Sequence, residues 1–125
     1  MFAAHQGLSN LHVVLDWNGQ QAFGLTREVI NVPNLAERWR AFGWRVTEVD
    51  GHSIPQIAGA LLAEDASSAP HLLLAKTVFG KGVSYMEQGL PLTQNRLPVH
   101  LINWHYLPMS ETEYEIAIKE VKGSQ

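Results

Sequence analysis

Few residues of this 125-residue chain could do chemistry, and most of them stand where an apolar run stops. Asn18, followed by Gly19, closes the run at residues 11–17 (LHVVLDW), and taken alone the Asn-Gly pair is an ordinary turn after a strand. His105 lies between Trp104 and Tyr106. An imidazole there can donate to a phosphate oxygen or a substrate hydroxyl, or it can simply pack as a loop histidine against Trp104. Lys76 and Thr77 end another apolar run and could line a site at its edge. Lys81 between Gly80 and Gly82 is similar to a phosphate loop, although Gly-Lys-Gly alone is more often a solvated turn. His52, after Asp50-Gly51, can tie a turn to the next helix. His5, His12, His71 and His100 fall at no metal-ligand spacing and read as structural or surface residues.

The elements that must position these residues follow from periodicity. Residues 11–17 read as a buried strand. Asn34 and Glu37 form a capping box behind Pro33; Leu35, Trp39 and Phe42 fall at helical spacing, and Gly43 is the expected stop. Residues 44–49 (WRVTEV) alternate as a second strand, and Asp50-Gly51-His52 turns into a helix capped by Ser53 and Gln56. Ile54, Ile57, Ala58, Leu61 and Leu62 give that helix its apolar face. Pro70 introduces a third strand, residues 71–78, whose unbroken apolar stretch suits a strand covered on both faces. Residues 80–101 lack periodicity and read as a long loop. Ser110 and Glu113 cap a last helix with Tyr114, Ala117, Ile118 and Val121 on its apolar face and Gly123 at its end.

The order is βαβαβ, a long loop, then α. Helical crossovers imply parallel strands, so the expected class is α/β with a three-stranded parallel sheet. Such a sheet is thin and has two edges, which suggests a part of something larger. Hydrophobic residues make up 46% and charged residues 17%, enough apolar material for one compact domain over residues 1–125. The net charge of −3 without a basic cluster gives no support to a nucleic-acid or anionic-membrane partner. No cysteine is present, which excludes disulfides and thiolate metal sites and is compatible with a cytoplasmic location. No apolar run approaches the roughly 18 residues that span a bilayer.

Four segments, in order, resemble the thiamine-diphosphate domain of transketolases, especially the split, two-subunit type. They are residues 3–24 (AAHQGLSNLHVVLDWNGQQAFG), 35–53 (LAERWRAFGWRVTEVDGHS), 75–87 (AKTVFGKGVSYME) and 103–117 (NWHYLPMSETEYEIA). The resemblance implies thiamine diphosphate and a hard divalent cation, Mg²⁺ or Ca²⁺, held by oxygen ligands. Asn18 matches the family's Asn ligand, and the backbone carbonyl of Gln20 matches a further one. Both would stand beyond the C-terminal end of the first strand, where open α/β sheets bind ligands. Asp16 is one residue too close to the strand to be the acidic ligand and reads as a turn or edge residue. His105 matches a His that reaches the cofactor's diphosphate and the substrate, with Tyr106 where the family usually has Gly.

The family's Gly-Asp-Gly motif, which supplies the acidic cation ligand, is absent. So is the pyrimidine-side domain with the Glu that activates the cofactor. The resemblance therefore implies the second half of a diphosphate-binding domain, from a split gene or a truncated chain. Other polypeptides would complete the sheet and carry the missing halves, and the chain would not be active alone. The implied activity is transfer of a two-carbon ketol unit between sugar-type substrates. A related decarboxylating acyl transfer, or a non-catalytic half-domain serving as an interaction module, stands beside it. Residues 88–102 form a longer stretch than the family's, with Pro91, Pro98 and several apolar residues, suited to packing on a partner or shaping a substrate entrance.

Overall fold

The computed structural model describes residues 1–63, 67–87 and 108–123. The chain falls into two compact units, Met1–Asn18 with Val32–Thr77, and Gly19–Asn31 with Val78–Gln125.

The first unit is built on three parallel strands, β1 (His12–Trp17), β4 (Arg45–Asp50) and β5 (His71–Lys76), in the spatial order β1-β5-β4. The α/β class and the parallel sheet are as expected. The strand with the longest apolar stretch takes the centre, because only a central strand has both edges paired and both faces available for cover. His71, Leu72, Leu73, Leu74 and Ala75 are all buried. The third strand stops at Lys76 rather than Val78, and the Thr77 N–H makes the last bond beside its end, to the Trp17 carbonyl at 3.3 Å. Register is set residue by residue: His12 and Arg45 flank His71, and Trp17 and Asp50 flank Lys76.

At the start of the sheet, the buried His71 lies between two polar neighbours on the same face. Its Nδ1 meets His12 Nδ1 at 3.3 Å, and its Nε2 meets Thr47 Oγ1 at 2.9 Å. Both ring nitrogens thus have partners, as burial of an imidazole requires. The structural role expected for His12 and His71 holds, and the sheet register brings together two residues 59 positions apart.

Among the described residues, three helices accompany this sheet: α1 (Phe2–His5), α3 (Leu35–Ala41) and α4 (Ile54–Leu62). The capping box expected at Asn34 does not form. Asn34 is left-handed with φ 55°, its side chain makes no cap hydrogen bond, and Arg38 Nε instead donates to the Pro33 carbonyl at 2.9 Å. Phe42, expected inside, is exposed, and its place is taken by Trp44, which is buried and packs edge-on against Trp39 with centroids 4.9 Å apart. Ser53 does cap α4 through the Gln56 N–H, while the Gln56 side chain reaches back to the Asp50 N–H at 3.0 Å. The apolar face of α4 is only partly used. Ile57 and Ala58 are half-buried, whereas Ile54 and Leu62 stay 79% and 81% exposed.

The second unit holds a small antiparallel pair, β2 (Gln20–Gln21) and β3 (Gly24–Leu25), with α2 (Thr26–Val29), α5 (Ser84–Glu87) and α6 (Glu111–Gly123). None of β2, β3, α2 or α5 is expected from periodicity, because each is shorter than two turns or three residue pairs. The capping box at Ser110 forms fully: the Glu113 carboxylate takes the Ser110 N–H at 2.8 Å, and Ser110 Oγ takes the Glu113 N–H at 3.4 Å. The face of α6 is only half the expected one. Ala117 and Ile118 turn inward as expected, joined by Glu113, Ile116 and Glu120, whereas Tyr114 and Val121 are exposed. Polar bonds to α5 fix this rotation. Tyr85 is buried and donates from its hydroxyl to the Glu113 carbonyl at 3.0 Å, and burial pushes its pKa up. The Glu120 carboxylate takes both the N–H of Ser84 at 2.7 Å and its hydroxyl at 2.5 Å. No helix among the described residues is long and apolar enough to cross a membrane.

The Ser84 hydroxyl, and then its backbone N–H, hold Glu120 below its ordinary pKa of 4.5. A depressed carboxylate pKa stabilises the fold above the unfolded value and ceases to do so as pH falls through the folded one. Glu120→Gln should therefore lower the thermal midpoint near neutral pH, and the gap to the unsubstituted protein should shrink as pH falls through and below the ordinary carboxylate range. Melting curves across that range test it; a gap independent of pH would remove the clasp from the account.

Candidate functional site

Parallel register places the last residues of all three strands along one edge, with Trp17 beside Lys76 and Lys76 beside Asp50. Asn18 follows β1 directly and stands at this edge, as expected. In doubly wound sheets that edge collects loops and ligands.

The polar groups here are joined strand to strand. The Asp16 carboxylate takes the Thr77 hydroxyl on Oδ1 and faces the Asn18 side-chain amide from Oδ2 at 3.5 Å. Thr77 in turn packs under Gly51, whose N–H donates to the Lys76 carbonyl at 2.8 Å. A Cβ at Gly51 would run into Thr77 Cγ2 and stand 3.1 Å from the Lys76 carbonyl and 3.2 Å from Ala75 Cβ. Only a glycine lets the β4 turn approach so closely. That turn is held by Asp50: its carboxylate accepts the His52 N–H at 2.9 Å, and its carbonyl accepts the Ser53 N–H at 3.0 Å. Lys76 pairs with Glu48 at 2.9 Å and holds that carboxylate below its usual range. The charge of Lys76 is thus engaged within the sheet.

Asp16 and Thr77 have linked roles that residue types alone do not reveal. The available signal is positional: both are polar residues at the carboxyl ends of neighbouring apolar strands.

In the second unit Gly19 adopts φ 74°, and its carbonyl accepts the Thr26 N–H at 2.9 Å. Gln20, the expected carbonyl ligand, pairs with Leu25 in the β2-β3 ladder and is half-buried. The Gly80-Lys81-Gly82 turn closes on itself rather than opening as a cradle. Glu87 Oε1 takes the Gly82 N–H at 2.7 Å and the Lys81 ammonium at 3.5 Å. This turn borders a groove of about 640 Å³ also lined by Ser84, Lys119 and Glu120. Two carboxylates in its wall counter the two lysines, so the groove is a poor anion site. His105 and the stretch 88–102 lie outside the described residues. Among the described residues, no three His, Asp or Glu side chains cluster as a metal site.

The edge of the first unit nevertheless offers one side-chain oxygen of the kind a hard cation takes. A carboxylate can only accept, so the Asn18 atom facing Asp16 is the amide nitrogen, and its oxygen is the end able to meet a cation.

Comparison with known proteins agrees with this architecture. Residues 1–101 match the family described as "Transketolase, thiamine diphosphate binding domain", and the chain belongs to that family. It is 36% identical over 115 residues to one subunit of the apulose-4-phosphate transketolase of Phocaeicola vulgatus, covering 91% of this chain and 37% of that protein. It is 32% identical over 123 residues to "6-deoxy-6-sulfo-D-fructose transketolase subunit SqwG" of Clostridium sp., covering 98% of this chain and 40% of that protein. The chain thus spans about two-fifths of these relatives. Among solved structures, transketolase from Campylobacter jejuni superposes with a TM-score of 0.63 at 21% identity, over 98% of this chain and 21% of that one. At that identity the likeness speaks for the fold.

Since Lys81 is engaged by Glu87 and largely exposed, Lys81→Ala should change cofactor affinity by less than about twofold, in keeping with the small contribution of exposed ion pairs. Titration of thiamine diphosphate into the substituted and unsubstituted proteins measures this, and a tenfold loss would make the loop a phosphate cradle after all.

Proposed function

We propose that this chain is one part of a thiamine-diphosphate-dependent transferase of the transketolase type, moving a two-carbon ketol unit between sugar-type substrates in the cytoplasm. Asn18 Oδ1 and the Gln20 carbonyl hold Mg²⁺ (or Ca²⁺) on the cofactor's diphosphate, and His105 donates to the diphosphate and substrate oxygens. The observation that carries this reading is Asn18 at the carboxyl edge of a parallel sheet, in a chain that belongs to the cofactor-binding family. The bound cofactor supplies a nucleophilic thiazolium carbon.

Partners complete the site. One supplies the Gly-Asp-Gly half of the domain and its acidic ligand; another carries the pyrimidine-side domain with the activating Glu. Two observations support this. The relatives are named as subunits, and the first unit leaves Val14, Ile54 and Leu62 exposed. The chain contributes ligands and a proton-handling imidazole, and turnover requires the assembly.

Two substitutions in the assembled protein test the reading. Asn18→Ala should weaken Mg²⁺-dependent cofactor binding by at least about tenfold without unfolding the protein, because it removes an oxygen ligand and no core contact. Unchanged Mg²⁺ dependence would remove Asn18 from the cation site. His105→Ala should lower turnover about 10²-fold or more while leaving the melting temperature nearly unmoved. Unchanged kinetics in a ketol-transfer assay would return His105 to packing against Trp104.

A further inference from the structure

The contacts at the sheet's carboxyl edge form one continuous line. The Gly51 backbone presses on Thr77, the Thr77 hydroxyl donates to Asp16, and Asp16 faces the Asn18 amide. The line crosses the ends of all three strands, β4, β5 and β1, and it ends on the residue assigned to the cation.

We propose that Asp16 is a positioning residue: its carboxylate, itself oriented by Thr77, turns the Asn18 side chain so that Oδ1 rather than Nδ2 is presented to the cation. The proposal rests on the reading of Asn18 as a cation ligand.

The physical case has three parts. First, an amide side chain has two nearly isosteric ends, and only one of them ligates a cation. Something must select the end, and an acceptor-only group beside Nδ2 does so. The 3.5 Å separation is long for a hydrogen bond, so the selection is by charge and dipole more than by a tight bond. Second, Asp16 uses its two oxygens on two different partners, one of them beyond the end of the neighbouring strand. A carboxylate with a single partner could swing; the Thr77 hydroxyl fixes the plane of this one. Third, Asp16 is exposed. Exposed charge contacts contribute little to stability, so the arrangement has small worth as a structural staple. Its consequence lies in orientation, as with the outer groups that aim metal ligands elsewhere.

The test uses the protein assembled with its partners, with thiamine diphosphate present and Mn²⁺ as the probe, whose free and bound forms are counted by electron paramagnetic resonance. Thr77→Val keeps the shape that packs under Gly51 but removes the donor. It should raise the Mn²⁺ dissociation constant about tenfold, in line with the loss of an outer-shell partner. Thr77→Ser retains the hydroxyl and should restore affinity to within about twofold. Asp16→Asn, which offers only one acceptor for two donors, should weaken Mn²⁺ at least as much as Thr77→Val. Thermal midpoints measured alongside should move little for all three. Asn18→Ala is run in parallel. If it weakens Mn²⁺ while Thr77→Val and Asp16→Asn do not, Asn18 remains a ligand and the positioning role is overturned. If Asn18→Ala itself leaves Mn²⁺ affinity unchanged, the ligand reading falls and the positioning role with it. A loss in Thr77→Val that Thr77→Ser fails to restore, or one matched by a large drop in thermal midpoint, also overturns the proposal in favour of a packing role.

Discussion

Burial of β5 is the constraint on which the first unit depends. From His71 to Ala75 the strand presents no residue to water. Every backbone N–H and C=O along it must therefore find a partner inside the protein, and two flanking strands supply them. Crossover helices force those strands to run parallel, and the parallel register then has a consequence far from the core. It lines up Trp17, Lys76 and Asp50, so the residues just past each strand meet along one edge. Asp16, Asn18, Thr77 and Gly51 are brought together by a core strand whose own residues do no chemistry.

The two ends of this sheet treat polarity differently. At the amino end, His71 is enclosed and both ring nitrogens are met by His12 and Thr47. That row satisfies itself, and its removal would leave buried polar atoms without partners, a matter of stability. At the carboxyl end the polar groups are exposed or half-exposed, and backbone geometry holds them there. Gly51 admits the β4 turn against Thr77 because it lacks a Cβ. Here the same kinds of bonds hold little folding energy and instead set directions. This division between a sealed end and an open, oriented end is what an open α/β sheet offers a ligand.

The framework is legible in the sequence because the signals that carry it are long or doubly determined. Three apolar runs and two crossover helices fix the class, and the Ser53 and Ser110 caps are read correctly from residue pairs three apart. The failures have physical causes. Asn34 has the composition of a cap, yet its backbone is left-handed, and no pattern in the sequence signals that choice. Counting apolar residues places Ala117 and Ile118 correctly but misplaces Tyr114 and Val121, because it ignores bonding: the Glu120 carboxylate meets Ser84 and the Glu113 carbonyl meets the Tyr85 hydroxyl, which leaves Tyr114 and Val121 outward. The link between Asp16 and Thr77 joins residues 61 positions apart and exists only once register is known. At the carboxyl edge, the position of Asn18 just past β1 is legible in the sequence; its contact with Asp16, and that of Asp16 with Thr77, is not.

The outer strand β1 connects the carboxyl edge to an exposed apolar position. Its residues alternate between exposed and half-buried, and His12, Val14 and Asp16 share the exposed face. Val14 is 56% exposed in the middle of that face, unusual for a β-branched residue of a parallel sheet, whose faces are normally covered. A partner that covers Val14 necessarily comes within two residues of Asp16. Displacing water there lowers the local dielectric, and the attraction between a carboxylate and an amide dipole strengthens as it does. The long contact between Asp16 and Asn18 would therefore gain strength if that apolar face were buried. By this argument, covering Val14 would also firm the contact between Asp16 and the Asn18 amide, so that burial of Val14 and orientation of Asn18 would be two effects of one event.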